Sequence, residues 1–140
     1  MIQEELSNRI INILLDFFTK EAVAAVVLYG SYAENRETRY SDIDLLIILD
    51  KELSNWREKR RMEVSLRKET ASVGPLSPRI MTGKEFMTAF ENYDPLVLNA
   101  LSSGRILYDT GTLKKTMAQF VKLENKNIAK TSEGFWEVAL

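Results

Sequence analysis

The chain has 140 residues, of which 45% are hydrophobic and 28% charged, and a formal net charge of −1. Those values suit one globular domain with a real core, and they leave no global field to attract a polyanion. The chain holds no Cys and no His, which excludes disulfides, thiolate chemistry, imidazole bases and Cys/His zinc sites. Catalysis must then run on carboxylates, hydroxyls, Lys, Arg, Tyr or a hard cation such as magnesium or manganese. No apolar run is long enough to span a bilayer. The acidic opening Met1-Ile2-Gln3-Glu4-Glu5 lacks the basic region of a signal peptide, so the expected location is cytoplasmic, with no membrane partner.

In chain order, Leu6, Ile10, Ile11, Ile13, Leu14, Phe17 and Phe18 recur at helical spacing and predict an amphipathic first helix. Ala22 to Tyr29 is a short Val- and Ala-rich strand stopped by Gly30, and Ser31 to Glu34 make about one helical turn. Asn35 to Ser41 is a polar loop. Asp42 to Leu49 is apolar from Ile43 onward apart from Asp44, as befits a central strand covered on both faces. Ser54 to about Ser72 has a helical pattern through Trp56, Met62, Val64 and Leu66, and is crowded with Arg57, Lys59, Arg60, Arg61, Arg67 and Lys68. On a helix such a charge run is ordinarily a solvated face.

Two of the three prolines, Pro75 and Pro78, end that helix, and a third strand centres on Arg79-Ile80-Met81. Thr82-Gly83-Lys84-Glu85 has capping-box form and starts a helix through Phe86 and Phe90. Asp94-Pro95 caps and opens another, ended by Gly104. Arg105 to Tyr108 is a fourth strand. A last helix is expected over 112–129, followed by a short apolar tail, Gly134-Phe135-Trp136-Glu137, that packs somewhere. The whole reads as a single α/β (α+β) domain, residues 1–140, with a small mixed sheet flanked by helices.

One constellation carries chemistry. Asp42 and Asp44, two apart on a strand, share a face about 6–7 Å apart at the backbone. Two such carboxylates repel unless a divalent cation sits between them. Gly30-Ser31, where the preceding strand gives way to a turn, offers backbone N–H groups and a hydroxyl to an anion. Taken singly, each feature is consistent with an ordinary turn; together they describe a phosphate cradle facing a metal-binding acid pair.

Gly30-Ser31-Tyr32-Ala33 followed by Ser41-Asp42-Ile43-Asp44-Leu45-Leu46-Ile47 resembles the signature of the DNA polymerase beta-like nucleotidyltransferase superfamily, especially its minimal stand-alone members. The stretch from Ser77 through Asp109 is similar to archaeal members. The resemblance implies a nucleotidyltransferase-like fold and transfer of a nucleoside monophosphate from a triphosphate, ATP foremost, to an acceptor hydroxyl. It implies that Gly30 and Ser31 hold the phosphates and that Asp42 and Asp44 are catalytic ligands of magnesium or manganese. Arg36 and Arg79 are expected to add positive charge at the nucleotide. Small relatives work as antitoxins beside a HEPN-type toxin, so such a partner protein is an alternative, as is a nucleotide-binding domain without catalysis. A nucleic-acid acceptor and a homo-oligomer both stay open.

Two departures from the pattern stand out. Glu34-Asn35 replaces the usual Arg-Gly; Asn35 tolerates the left-handed backbone Gly would adopt, while Glu34 brings a negative charge that Arg36 and Arg39 offset. The third carboxylate that active members carry on a later strand is missing from Leu76-Ser77-Pro78-Arg79-Ile80-Met81. Asp50 lies roughly 20 Å along the strand from Asp44, and Glu63 and Glu69 reach in only from an unusual helix placement.

Overall fold

The computed structural model describes the backbone of residues 4–126 and 128–138. Its elements are α1 (Glu4–Phe18), a 3-10 turn (Lys20–Ala22), β1 (Val23–Tyr29), β2 (Ile43–Leu49), α2 (Trp56–Glu69), β3 (Leu76–Thr82), α3 (Gly83–Glu91), α4 (Pro95–Ser103), β4 (Arg105–Asp109), α5 (Thr112–Lys126), β5 (Ile128–Lys130) and β6 (Trp136–Val138). No helix among the described residues is long and apolar enough to cross a membrane.

The first four strands form one sheet in the order β3-β2-β1-β4. β1 runs antiparallel to both β2 and β4, and β2 runs parallel to β3, so the sheet is mixed. Its central pair has a hydrophobic cluster on each face. One holds Val26, Leu28, Leu45 and Ile47 with Ile10, Leu14 and Phe18 of α1 and Leu66 of α2. The other holds Val27, Leu46 and Ile48 with Phe86 and Phe90 of α3, Val97 and Leu101 of α4 and Phe120 of α5. Ile43 and Leu45 to Leu49 are at most 2% exposed. This explains the unbroken apolar run, because a strand covered on both faces has no polar side to alternate with.

The helix caps follow the sequence. Thr82 and Glu85 exchange both bonds of a capping box, and Asp94 accepts from the Leu96 N–H. Asn55 caps α2 by accepting from the N–H groups of Arg57 and Glu58. Pro78 is accommodated because β3 is an edge strand. The Ile80 N–H, which points the same way two residues on, donates outward to Glu63 Oε2 at 3.1 Å, so the donor missing at Pro78 removes no ladder bond.

Two expectations are corrected. The last helix does not reach residue 129: α5 ends at Lys126, and Ile128 begins a strand that pairs antiparallel with β6. Trp136 on that hairpin donates from Nε1 to Asn99 Oδ1 at 3.0 Å and meets Phe120 edge-on. A hairpin lets it reach both, where a continued helix would carry it away. Phe135 in the turn is 71% exposed, so only part of the apolar tail packs.

Candidate functional site

The motif residues meet at one end of the central strand pair. Antiparallel pairing of β1 with β2 sets Tyr29, the last residue of one strand, opposite Asp44 near the start of the other. Gly30 then leaves β1 with φ +74°. A Cβ built on Gly30 would lie 2.3 Å from Asp44 Oδ2, so a side chain there would be strained by the backbone angle and would push the carboxylate aside. Ser31 opens the turn that follows. In it the Glu34 N–H donates to the Gly30 carbonyl at 3.2 Å and the Arg36 N–H to the Ser31 carbonyl at 2.8 Å. Asn35 takes φ +57°, the left-handed backbone expected of it.

The loop returning to β2 is closed by Ser41, whose Oγ accepts from the Thr38 N–H at 2.8 Å. Asp42 comes next, exposed, just ahead of the strand rather than within it. Asp44 is half-buried and shares its face with Leu46 and Ile48. Burial, with Asp42 nearby as a second cause, pushes its pKa above the usual aspartate range. The Tyr29 hydroxyl is likewise held protonated to higher pH, first by burial and then by the Asp44 charge, against an opposing pull from Arg79. A half-buried acid whose ionisation is disfavoured, with a second carboxylate beside it and a glycine backbone shaped around it, makes a site suited to a cation. No divalent ion need displace a paired lysine or arginine there, since the ion pairs given by the described residues lie elsewhere.

The remaining candidates fall differently. Arg36 Nη2 pairs with Glu34 Oε2 at 3.1 Å, which neutralises the charge that replaces the family's arginine. Arg39 stacks over Tyr40, its guanidinium carbon 4.8 Å from the ring centroid. Arg79 lies exposed on β3, in register with Leu46, two residues beyond Ser77. Glu63 is buried against the β3 edge and Glu69 is exposed, so neither joins the aspartates. Asp50 stands at the far end of β2, where it borders a cavity of about 430 Å³. Among the described residues no group of three acids could hold a metal.

Two neighbours escaped the reading of the sequence. Ser77 pairs directly with Asp44 across the parallel ladder, on the same face. Tyr29 is the other. Counting back from the Thr82 cap would have placed Ser77 on the right face, but only the parallel register puts it beside Asp44.

Comparison with known proteins bears on the family and the fold. A search of curated proteins finds no match. Among solved structures, a toxin–antitoxin with AMP-PNP is similar with a TM-score of 0.57 at 18% identity, over 85% of this chain and 86% of that one. Two mutant forms of the toxin–antitoxin MntA-HpeT are similar as well. One has a TM-score of 0.57 at 17% identity over 85% and 86% of the two chains, the other 0.54 at 18% over 89% and 88%. At that identity the likeness concerns the fold. The family model described as nucleotidyltransferase domain matches residues 7–108, from α1 through β4 and across the whole Gly-Ser and Asp-x-Asp constellation; the chain belongs to the nucleotidyltransferase domain family.

Proposed function

We propose that this chain transfers a nucleoside monophosphate from a nucleoside triphosphate, ATP foremost, to an acceptor hydroxyl. The observation that carries the reading is Gly30 folded against the Asp44 carboxylate, with Asp42 two residues upstream and neither acid in an ion pair among the described residues. Asp42 and Asp44 would hold magnesium or manganese; a divalent ion so held neutralises phosphate charge and polarises the α-phosphate. Ser31 and the N–H groups of its turn bind the β- and γ-phosphates, and Arg79 adds charge from β3. The acceptor oxygen attacks the α-phosphorus as the bond to pyrophosphate breaks. Positioning and charge neutralisation supply most of the rate in such chemistry.

Incubation with α-labelled triphosphate, magnesium and candidate acceptors tests this. Label transfer is expected from the wild type and lost in the Asp42→Asn/Asp44→Asn double variant; equal transfer by both refutes it.

A second reading is favoured by the toxin–antitoxin complexes among similar structures. In it the chain acts as the antitoxin partner of a small HEPN-type helical protein. Co-purification with the product of a neighbouring gene supports that reading, and failure to bind any such product removes it. The lack of a third acid grouped with Asp42 and Asp44 among the described residues motivates a third reading, a triphosphate-binding domain without turnover. Calorimetric titration showing tight triphosphate binding with no label transfer would select it. The cytosol is the compartment all three readings presuppose.

A further inference from the structure

Helix α2 presents two faces of opposite character. Toward the sheet it buries Glu63 and Leu66, with Lys59 and Met62 half-buried beside them. Arg57, Arg60, Arg61, Arg67 and Lys68 are exposed on the outer side. At 100° per residue these five cations fall within an arc of roughly 120° centred opposite the buried stripe, along about 16 Å of helix. The acids of α2 are kept off that arc. Glu58 lies on the flank, accepting from the Ser54 N–H and hydroxyl, Glu63 faces the β3 edge, and the exposed Glu69 falls by helical spacing on the same flank as Glu58. Arg61 lies close enough to help hold the Glu58 pKa down, after the Ser54 hydrogen bonds and alongside Lys51. None of the five cations makes an ion pair among the described residues. In a chain of net charge −1, this is a concentrated ridge of positive charge, tempered at Arg61 by the nearby Glu58.

Its ends are informative. At the amino end Trp56 is 69% exposed, with the Arg57 guanidinium carbon 5.5 Å from the ring centroid. The carboxyl end leads through Thr70 to Pro75, whose carbonyl accepts from the Ile43 N–H beside the two aspartates. Arg67 and Lys68 therefore lie at the end of α2 that approaches the candidate site.

We propose that this ridge binds single-stranded nucleic acid, with phosphates on the five cations and a base on Trp56. Guanidinium groups match phosphate oxygens in a bidentate fork. An exposed indole gives any base a stacking platform. An acidic protein is the weaker fit, because protein interfaces exclude charge from an apolar centre and this face offers only Val64, 42% exposed, at its middle. The proposal stands apart from the nucleotidyl-transfer reading, since it concerns binding alone and uses none of Gly30, Ser31, Asp42 or Asp44.

The test is fluorescence anisotropy of labelled single strands of about 12 nucleotides, RNA and DNA separately, with polyglutamate as a competitor. With five phosphates engaged, raising salt about fourfold should weaken binding roughly a hundredfold. The variant Arg60→Gln/Arg67→Gln/Lys68→Gln should lower the slope of log affinity against log salt by about 2. Trp56→Ala should weaken binding roughly tenfold at any salt. Thermal melts check that each variant folds; Arg67→Gln alone, expected to lower the slope by about 0.7, serves if the triple variant does not. Binding of RNA but not DNA, or of both, supports the ridge as a nucleic-acid site and names its ligand. No binding, binding that ignores salt, an unchanged slope in the variants, or equal displacement by polyglutamate overturns it.

Discussion

At its amino end β2 brings Asp42 and Asp44 together without an ion pair on either among the described residues, and Gly30 is bent into a left-handed backbone beside Asp44. At its carboxyl end the sheet closes differently. Thr82 and Glu85 satisfy each other in a capping box, Lys59 reaches Glu85 as an ion pair, and Gly83 has open space where a side chain would go. Burial works against the Glu85 carboxylate, but Lys59 and the Thr82 N–H outweigh it and hold its pKa down, whereas Asp44 is pushed up. One end balances its charges within the fold, and the other is where a bound cation is proposed. Local strain and unbalanced charge persist only where the surrounding fold enforces them, which is why they mark a functional site.

Substitutions at matched positions sharpen the contrast. Asp44→Asn removes the carboxylate proposed to hold the metal and should weaken triphosphate–manganese binding by about a hundredfold or more, read by calorimetry. The same variant should melt at a higher temperature than wild type, because it relieves the charge that burial and Asp42 oppose; a lower melting temperature would break the contrast. Gly30→Ala should also abolish binding and cost roughly 1–3 kcal/mol of stability, for strain at positive φ and the clash with Asp44. Gly83→Ala, by comparison, should change stability by no more than about 0.5 kcal/mol.

Ser77→Asp places a third acid in register with Asp44 and should tighten manganese binding by about tenfold, while lowering the melting temperature of the metal-free protein. A variant that binds no more manganese than wild type would show that the ladder position does not reach the aspartates. The smallest effect is expected at the opposite end. Glu85→Gln should cost about 0.5–1 kcal/mol in a thermal melt and leave triphosphate binding unchanged.

Acid titration separates the ends by sign. The folded state holds a proton on Asp44 more tightly than the unfolded chain does. Asp44 therefore lowers stability as pH rises from the ordinary aspartate range through its raised native value. Glu85 does the reverse, contributing stability above the ordinary glutamate value that is lost as pH falls through its depressed one. Melts across the acidic range should show the first slope vanish in Asp44→Asn and the second in Glu85→Gln.

Much of this was legible in the residues alone. The strand ends at Tyr29 and Leu49, the Thr82 and Asp94 caps and the motif at Gly30, Ser31, Asp42 and Asp44 all depend on local rules: backbone freedom, hydrogen bonding within a turn, and side-chain period. Those forces act between residues close in sequence, so a single chain displays them. What the tertiary structure decided was everything that crosses the ladder. It placed Ser77 rather than an acid beside Asp44, turned Glu63 to the β3 edge and folded the segment after Lys126 into a hairpin. Register, strand order and the partner a charge selects depend on contacts between distant segments, and packing chooses among options that local preference leaves nearly equal.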